Sequence, residues 1–235
     1  MMELRTFPAG FGEPSYSPFC VKGMCLLALS CMDWRPTFVD DPSKEPKGKL
    51  PVLVDGDQTI ADSAAIRAHL EARSGRDFDE GLSDAERAAA HALIRMAEGE
   101  LYFQLLRDRW IGDDAWAATK RSGAFDGLPP IIRTLVPPIV RRKIRRDLAG
   151  QGMLGFSEEE VADRAMTDFR AIAATLGDKP FLFGDAPTSA DASVGSMVNG
   201  LLASRVETPL RGRLASVTAL AEYGARVRAA LYPAQ

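Results

Sequence analysis

The stretch that decides the fold is Gly48-Lys49-Leu50-Pro51-Val52-Leu53-Val54-Asp55-Gly56, and it is followed by Ile60-Ala61-Asp62-Ser63-Ala64-Ala65-Ile66. An Asp-Gly pair between apolar runs is a strong hairpin signal, so the stretch predicts two short strands joined at Asp55-Gly56. The pair Asp62-Ser63 before a periodic apolar segment predicts the start of a helix. Free N–H groups at a helix start bind anions such as a carboxylate.

The residues around the hairpin predict a small α/β unit. A loop rich in Gly and Pro leads to a helix that begins near Ser17 or Pro18, because proline suits the first turn of a helix. The other predicted elements are strands over 4–7 and 35–39, a polar connector over 40–49 and a helix over 63–73.

The chain after Ser83 predicts only helices and loops. Helical spacing covers 88–106, 139–148 and 157–176, with Ser83 and Ser157 placed as N-caps. Thr188 and Asp191 have the spacing of a capping box, which predicts a role in folding rather than in chemistry. The four prolines between positions 128 and 138 predict a loop or a broken helix there.

Composition restricts the classes of function. The 235 residues are enough for two hydrophobic cores, and the net charge of −3 gives no field that would attract nucleic acid. We expect no signal peptide at residues 1–11 and no membrane-spanning segment. The three cysteines are clustered and odd in number, so we expect a reducing, cytoplasmic location. His69 and His91 have no partners at ligand spacing, so we expect no metal site.

These motifs together resemble the glutathione transferase superfamily, and the resemblance covers essentially the whole chain. It implies an N-terminal thioredoxin-like α/β domain over 1–75, followed by an all-helical C-terminal domain over 82–235. The long loop Gly10–Cys20, the basic insert Pro137–Gly152 and the run Phe181–Asp191 are similar to the failed axon connections and metaxin-like branch. The superfamily habit is to form homodimers, and we expect one here.

The resemblance also implies a site for glutathione as co-substrate, without a metal. In such transferases a donor at the start of the first helix lowers the pKa of the glutathione thiol, and the thiolate attacks an electrophile. Ser17 matches the donor. Asp62 and Ser63 match the residues that hold the γ-glutamyl end, and Lys49 the residue near the glycyl carboxylate. Leu50 would pair through its backbone with the cysteinyl unit, and the Leu50–Pro51 bond would be cis.

Several alternatives stay open from the sequence. Ser17, Asp62 and Ser63 could be helix caps only, Lys49 could be a solvated surface charge, and Tyr16 is a rival donor. Cys20 could act as a single reactive thiol or be a buried apolar residue, since a dithiol mechanism lacks its first cysteine. Tyr102, Phe103 and Trp110 are candidates for an electrophile pocket between the domains.

Two functions follow from the sequence. The first is the conjugation or reduction of small hydrophobic electrophiles with glutathione, as in detoxification. The second is a non-catalytic adaptor that associates with a protein partner or a membrane surface, suggested by the long N-terminal loop and the basic stretch 141–146. For that stretch we favour a helix with a solvated basic face, with a membrane contact as the alternative.

Overall fold

The computed structural model describes residues 1–204 and 206–233. Its sheet has four strands in the order β2-β1-β3-β4, with β1 and β2 parallel and the other pairs antiparallel. The hairpin prediction is confirmed, although Asp55 pairs with Gln58, so that Gly56 and Asp57 form the turn. Gly56 has a φ of 59°, which glycine adopts at little cost. The strands are β1 Met2–Thr6, β2 Trp34–Phe38, β3 Val52–Asp55 and β4 Gln58–Ala61.

Two helices belong to this part of the chain. Helix α1 (Pro18–Ser30) lies between β1 and β2, and helix α2 (Ser63–Ser74) follows β4. The predicted polar connector contains only a 3-10 turn, Pro42–Lys44. Helix α1 is apolar on nearly every side, and ten of its thirteen residues are buried. A helix of that kind must be covered all round. The sheet covers one side of α1, and helix α8 (Ser189–Leu202) covers another.

The rest of the chain is helical, as the sequence predicts. The N-caps Ser83 and Ser157 and the capping box of Thr188 with Asp191 are confirmed. Among residues 1–204 and 206–233, no helix is both long and apolar enough to cross a membrane. The helices are α3 Asp84–Met96, α4 Tyr102–Trp110, α5 Asp113–Lys120, α6 Pro130–Gln151, α7 Glu158–Leu176, α8, α9 Pro209–Ala215 and α10 Thr218–Leu231, with a π-helical turn over Ala97–Leu101 and a 3-10 turn over Met153–Gly155.

The prediction of a loop or broken helix over 128–138 is wrong, because α6 runs without interruption from Pro130 to Gln151. Pro129 is its N-cap and Pro130 its first residue, where a missing N–H costs nothing. Pro137 and Pro138 lie inside the helix and leave the carbonyls of residues 133 and 134 without helical donors. Both residues are exposed, so water can bind those carbonyls.

One hydrophobic core crosses from the sheet into the helical part. It joins Leu4 of β1 and Leu26 of α1 to Phe169 of α7 and Val198 of α8. The division into domains at 75 and 82 stays a prediction, although all strands precede it and α3 begins after it.

Asp191 fixes the start of α8 inside this core. Its fully buried carboxylate accepts from the Leu182 N–H at 3.0 Å, the Thr188 N–H at 2.8 Å and the Tyr223 hydroxyl at 3.0 Å. Burial raises the pKa of Asp191, and these hydrogen bonds oppose the rise. The contacts agree with the folding role predicted from its spacing to Thr188.

Candidate functional site

Ser17 lies at the start of α1, where its hydroxyl does not cap the helix. Its backbone carbonyl accepts from the N–H groups of Cys20 and Val21 at 3.0 and 3.1 Å, while its side chain accepts from no helical N–H. The side-chain oxygen of an N-cap serine normally accepts a hydrogen bond from a backbone N–H in the first turn of the helix. The half-buried Ser17 hydroxyl therefore lies at the positive end of the helix with no helical N–H bound to it and with the Cys20 thiol beside it. Its catalytic role stays a prediction.

Cys20 and Tyr16, the alternative candidates, lie beside Ser17. Cys20 is fully buried against Leu50 and Val52, and burial raises the pKa of its thiol in spite of several hydrogen bonds, one of them with Ser17. Burial raises the pKa of Tyr16 as well, and its ring stacks on Phe7 at 4.7 Å between centroids. Burial opposes a Cys20 thiolate, whereas a phenol that keeps its proton can still donate, so the roles of both residues stay predictions.

Two arginines hold the long loop that leads to Ser17, and the sequence analysis did not find either. The buried Arg109 donates to the Tyr16 carbonyl at 2.9 Å and to the Gly200 carbonyl at 2.6 Å. Its guanidinium also lies 4.1 Å from the centroid of the Phe11 ring, and burial lowers its pKa to about 10. Arg228 of α10 pairs with the buried Glu13. The loop is thus fixed by the helical part of the protein.

Leu50 and Pro51 lie directly beneath α1. The Leu50–Pro51 peptide bond is cis, as the resemblance implies. Gly23 of α1 faces Pro51 so closely that an added Cβ would lie 3.2 Å from the Pro51 Cγ, so glycine is what permits this approach. Lys49 precedes them with an exposed side chain, free to reach a carboxylate.

Asp62 and Ser63 form the start of α2, as predicted. The Asp62 carboxylate accepts from the N–H groups of Ala64 and Ala65 at 2.8 and 3.3 Å. Asp62 has a φ of 94°, a strained conformation of the kind that persists at functional sites. Capping is thus one role of Asp62, and the N–H of Ser63 is left over for an anion.

A buried ion pair lies under Ser63, and the sequence analysis missed it. Lys22 of α1 donates from Nζ to the Ser63 Oγ at 3.1 Å and pairs with Glu98 of the π-helical turn. Glu98 also accepts from the Ser193 hydroxyl of α8 at 2.8 Å. A lysine ammonium has only donors, so Ser63 must act as acceptor toward it and its own O–H proton points elsewhere. The available signal was Lys22 itself, the one charged residue in α1.

Two of the three aromatic residues predicted to form an electrophile pocket are in contact, and the third lies in another cluster. Tyr102 meets Phe19 of α1 edge to face at 4.8 Å and Phe103 at 5.4 Å between ring centroids, and burial raises the pKa of Tyr102 to about 12. Phe103 also packs near Leu148, whereas Trp110 is covered by Trp116 and Phe125. Tyr102, the one in contact with α1, is the best placed of the three, and pocket formation stays a prediction.

The start of α2 offers groups that suit a γ-glutamyl group. In the part of the chain that the structure describes, no group of three His, Cys, Asp or Glu side chains is arranged to hold a metal. The Ser63 O–H and N–H, held over the Lys22 charge, suit a carboxylate, and the Asp62 carboxylate suits an ammonium group. Both charges occur on one γ-glutamyl group.

Comparison with known proteins identifies the class. The profile of the family described as "Glutathione S-transferase N-terminal domain" matches residues 18–116, and that of "Glutathione S-transferase, C-terminal domain" matches residues 165–227. The isoprene-epoxide–glutathione S-transferase of Rhodococcus sp. (strain AD45) is 30% identical, over 97% of this chain and 98% of that protein. The chain belongs to the glutathione transferase superfamily.

Other relatives lie in the branch suggested by the sequence. Failed axon connections of Drosophila melanogaster is 26% identical over 84% of this chain, which spans 50% of that protein. Metaxin-1 of Macaca fascicularis is 24% identical over 99% of this chain and 75% of its own length. Among solved structures, a β-etherase from Sphingobium sp. strain SYK-6 has a TM-score of 0.62 at 19% identity, covering 97% of this chain and 95% of that one. That likeness shows the fold alone.

Proposed function

We propose that this protein binds glutathione and conjugates it to small electrophiles. The observation that carries the proposal is the Lys22–Ser63 contact, because a buried ammonium turns the Ser63 hydroxyl into a donor at the free N-terminus of α2. The γ-glutamyl carboxylate would bind there, and its ammonium would face Asp62. Lys49 would meet the glycyl carboxylate.

Ser17 would then act on the glutathione thiol. Its hydroxyl accepts from no N–H group of α1, and it would donate its proton to the sulfur and stabilise the thiolate near the positive end of the helix. A small epoxide is the first electrophile to test, because the relative that is 30% identical is named for isoprene epoxide. Thiolate attack on an epoxide carbon forms the C–S bond and breaks the C–O bond, and the resulting alkoxide takes a proton from water.

The binding site is tested by isothermal titration calorimetry with glutathione. We expect micromolar to low-millimolar affinity for the wild type and a loss of binding in Asp62→Ala. Asp62→Asn is the matched control, because asparagine caps a helix as well as aspartate does but carries no charge. We expect it to keep the thermal stability and lose most of the affinity. Undetectable binding to the wild type would favour the adaptor function instead.

The catalytic assignment is tested by steady-state rates with a small epoxide and with 1-chloro-2,4-dinitrobenzene. Removing one stabilising donor costs about 100-fold in rate, so we expect a loss of that size in Ser17→Ala with unchanged glutathione affinity. Unchanged rates in Ser17→Ala would exclude Ser17 as the donor. A cytoplasmic location and a homodimer remain part of the proposal.

A further inference from the structure

Helix α6 exposes an unusual group of apolar side chains. Ile131, Ile132, Leu135 and Ile139 are between 41% and 75% exposed. Across residues 1–204 and 206–233, the other large apolar side chains exposed to this degree are Met1 and Phe38. Single exposed apolar residues are ordinary, whereas a cluster on one element marks a contact surface.

The exposed residues form a stripe opposite the packed face of α6. Ile131, Leu135 and Ile139 follow each other at intervals of four, so they lie along one side of the helix. Val136, Val140 and Ile144 lie on the other side and pack against the cluster of Trp110, Trp116 and Phe125. The fold therefore uses one face of α6 and leaves the apolar stripe uncovered.

The same stripe continues as a basic surface toward the end of α6. Arg142, Arg145 and Arg146 extend it in helical register, and they are exposed together with Lys143. Within the described ranges none of these four forms an ion pair, while Arg133 and Arg141 pair with Asp126 and Asp113. Helix α6 carries six basic residues and one acidic residue, although the chain as a whole has a net charge of −3.

An open cleft lies beside the basic half of this stripe. It measures about 590 Å³, and Pro138, Arg142 and Arg145 contribute to its wall from α6. Asp113 also lines the cleft, where its carboxylate pairs with Arg141. Trp116 contributes from α5, with the Arg141 guanidinium 5.2 Å from the centroid of its ring. Arginine binds phosphate through two parallel N–H groups, so this wall suits a phosphate-bearing head group.

We propose that α6 is an interfacial helix that docks the protein on an anionic membrane surface. Its apolar end, from Ile131 to Ile139, inserts at the boundary between head groups and acyl chains. Its basic end lies on the lipid phosphates, with Arg142 and Arg145 facing them. Apolar insertion next to a basic surface is the combination that binds such membranes.

A second copy of the chain is a poorer occupant of this surface. A twofold interface brings the same patch of two copies together, so the arginines of one copy would meet those of the other. An anionic bilayer complements both halves of the stripe, the apolar one and the basic one.

The test is flotation of the full chain with vesicles of phosphatidylcholine alone and of phosphatidylcholine with phosphatidylserine. We expect binding to the anionic vesicles only, weakening as salt increases. Each basic residue near such a surface contributes enough that Arg142→Gln with Arg145→Gln should weaken binding about 30-fold. Leu135→Ser with Ile139→Ser should weaken it about 100-fold through lost apolar burial.

Matched controls separate the stripe from general surface effects. Arg170→Gln removes an exposed basic residue of α7, and Phe38→Ser removes an apolar residue of β2 that is 60% exposed. Both should bind vesicles like the wild type. Absence of binding at low salt, or equal binding to neutral vesicles, would overturn the proposal. So would a dimer in sedimentation velocity that Leu135→Ser with Ile139→Ser converts to monomer while vesicle binding is unchanged.

Discussion

Lys22 is a charged residue placed where the helix needs an apolar one. Its side chain is 4% exposed, and its ammonium touches Ser63 on α2 and Glu98 on the π-helical turn. Apolar residues of the same volume often replace a buried ion pair without loss of stability. Retaining the pair therefore points to a use other than stability, namely holding Ser63 as a donor.

Removing either charge alone should destabilise the protein. We expect Lys22→Met to lower the free energy of unfolding by about 3 kcal/mol, because Glu98 would stay buried without its cation. Lys22→Met with Glu98→Gln should recover most of that loss, since glutamine can still accept from the Ser193 hydroxyl. Urea unfolding of Lys22→Met, Glu98→Gln and the double variant measures the coupling.

The double variant distinguishes a structural role from a binding role. If Lys22 serves the glutathione site, the double variant should be as stable as expected but should bind glutathione more weakly than the wild type in calorimetry. Wild-type affinity in the double variant would mean that Lys22 serves folding alone.

At the scale of elements, Asp168 of α7 lies near Glu100 of the π-helical turn, so that two carboxylates face each other. Burial raises the pKa of Asp168 to about 6, with a further rise from the nearby charge of Glu100. Within the described chain the Glu100 Oε2 is buried without a hydrogen-bond partner. The folded state therefore binds more protons than the unfolded state between about pH 4 and pH 6, and stability falls as pH rises through that range.

Asp168→Asn should remove this penalty. Because Asp168 is only half-buried, we expect a gain of about 1 kcal/mol in the free energy of unfolding at pH 7 and none below about pH 4. Urea unfolding at several pH values, with Asp178→Asn as an exposed control, measures it. A difference from wild type that does not vary with pH would refute the assignment.

Helix α6 explains where sequence reasoning fails at this scale. Its prolines predict a break, because proline removes a donor and costs about 3 kcal/mol inside a helix. The structure offsets that cost by packing Val136, Val140 and Ile144 against three aromatic rings. Those rings precede the side chains that they contact by 11 to 34 residues, so the helical pattern of α6 itself holds no sign of them.

At the scale of the whole molecule, α1 is enclosed by both parts of the protein. Leu26 and Met24 belong to the same core as Val198 of α8 and Tyr223 of α10. A fragment of residues 1–75 would expose this surface of α1 to water, and the lost burial is large compared with the stability of a small domain.

We expect the fragment 1–75 to be unfolded or aggregated on its own. Circular dichroism and hydrogen exchange on the isolated fragment, compared with the same residues in the full chain, test this. Cooperative unfolding of the isolated fragment would show instead that the sheet and its two helices form an independent domain.

Local signals in the sequence account for the sheet, the caps and the positions of the residues predicted to bind glutathione. The hairpin at Gly56, the cap at Ser83 and the pair Asp62-Ser63 each depend on a few neighbouring residues. The residues that hold the site in place, Lys22, Glu98 and Arg109, depend instead on distant parts of the chain. Lys22 and Glu98 are 76 residues apart, and Arg109 reaches Tyr16 over 93 residues. Such pairs are defined by the folded chain alone.

The ion pair under Ser63 also constrains how this protein can change over generations. One charge is encoded before the predicted division at residue 75 and the other after it, and each is costly without its partner. A gene fusion that exchanged one half for that of a relative would have to carry a matching residue at position 22 or 98. We therefore expect substitutions at these two positions to appear as a pair in descendants.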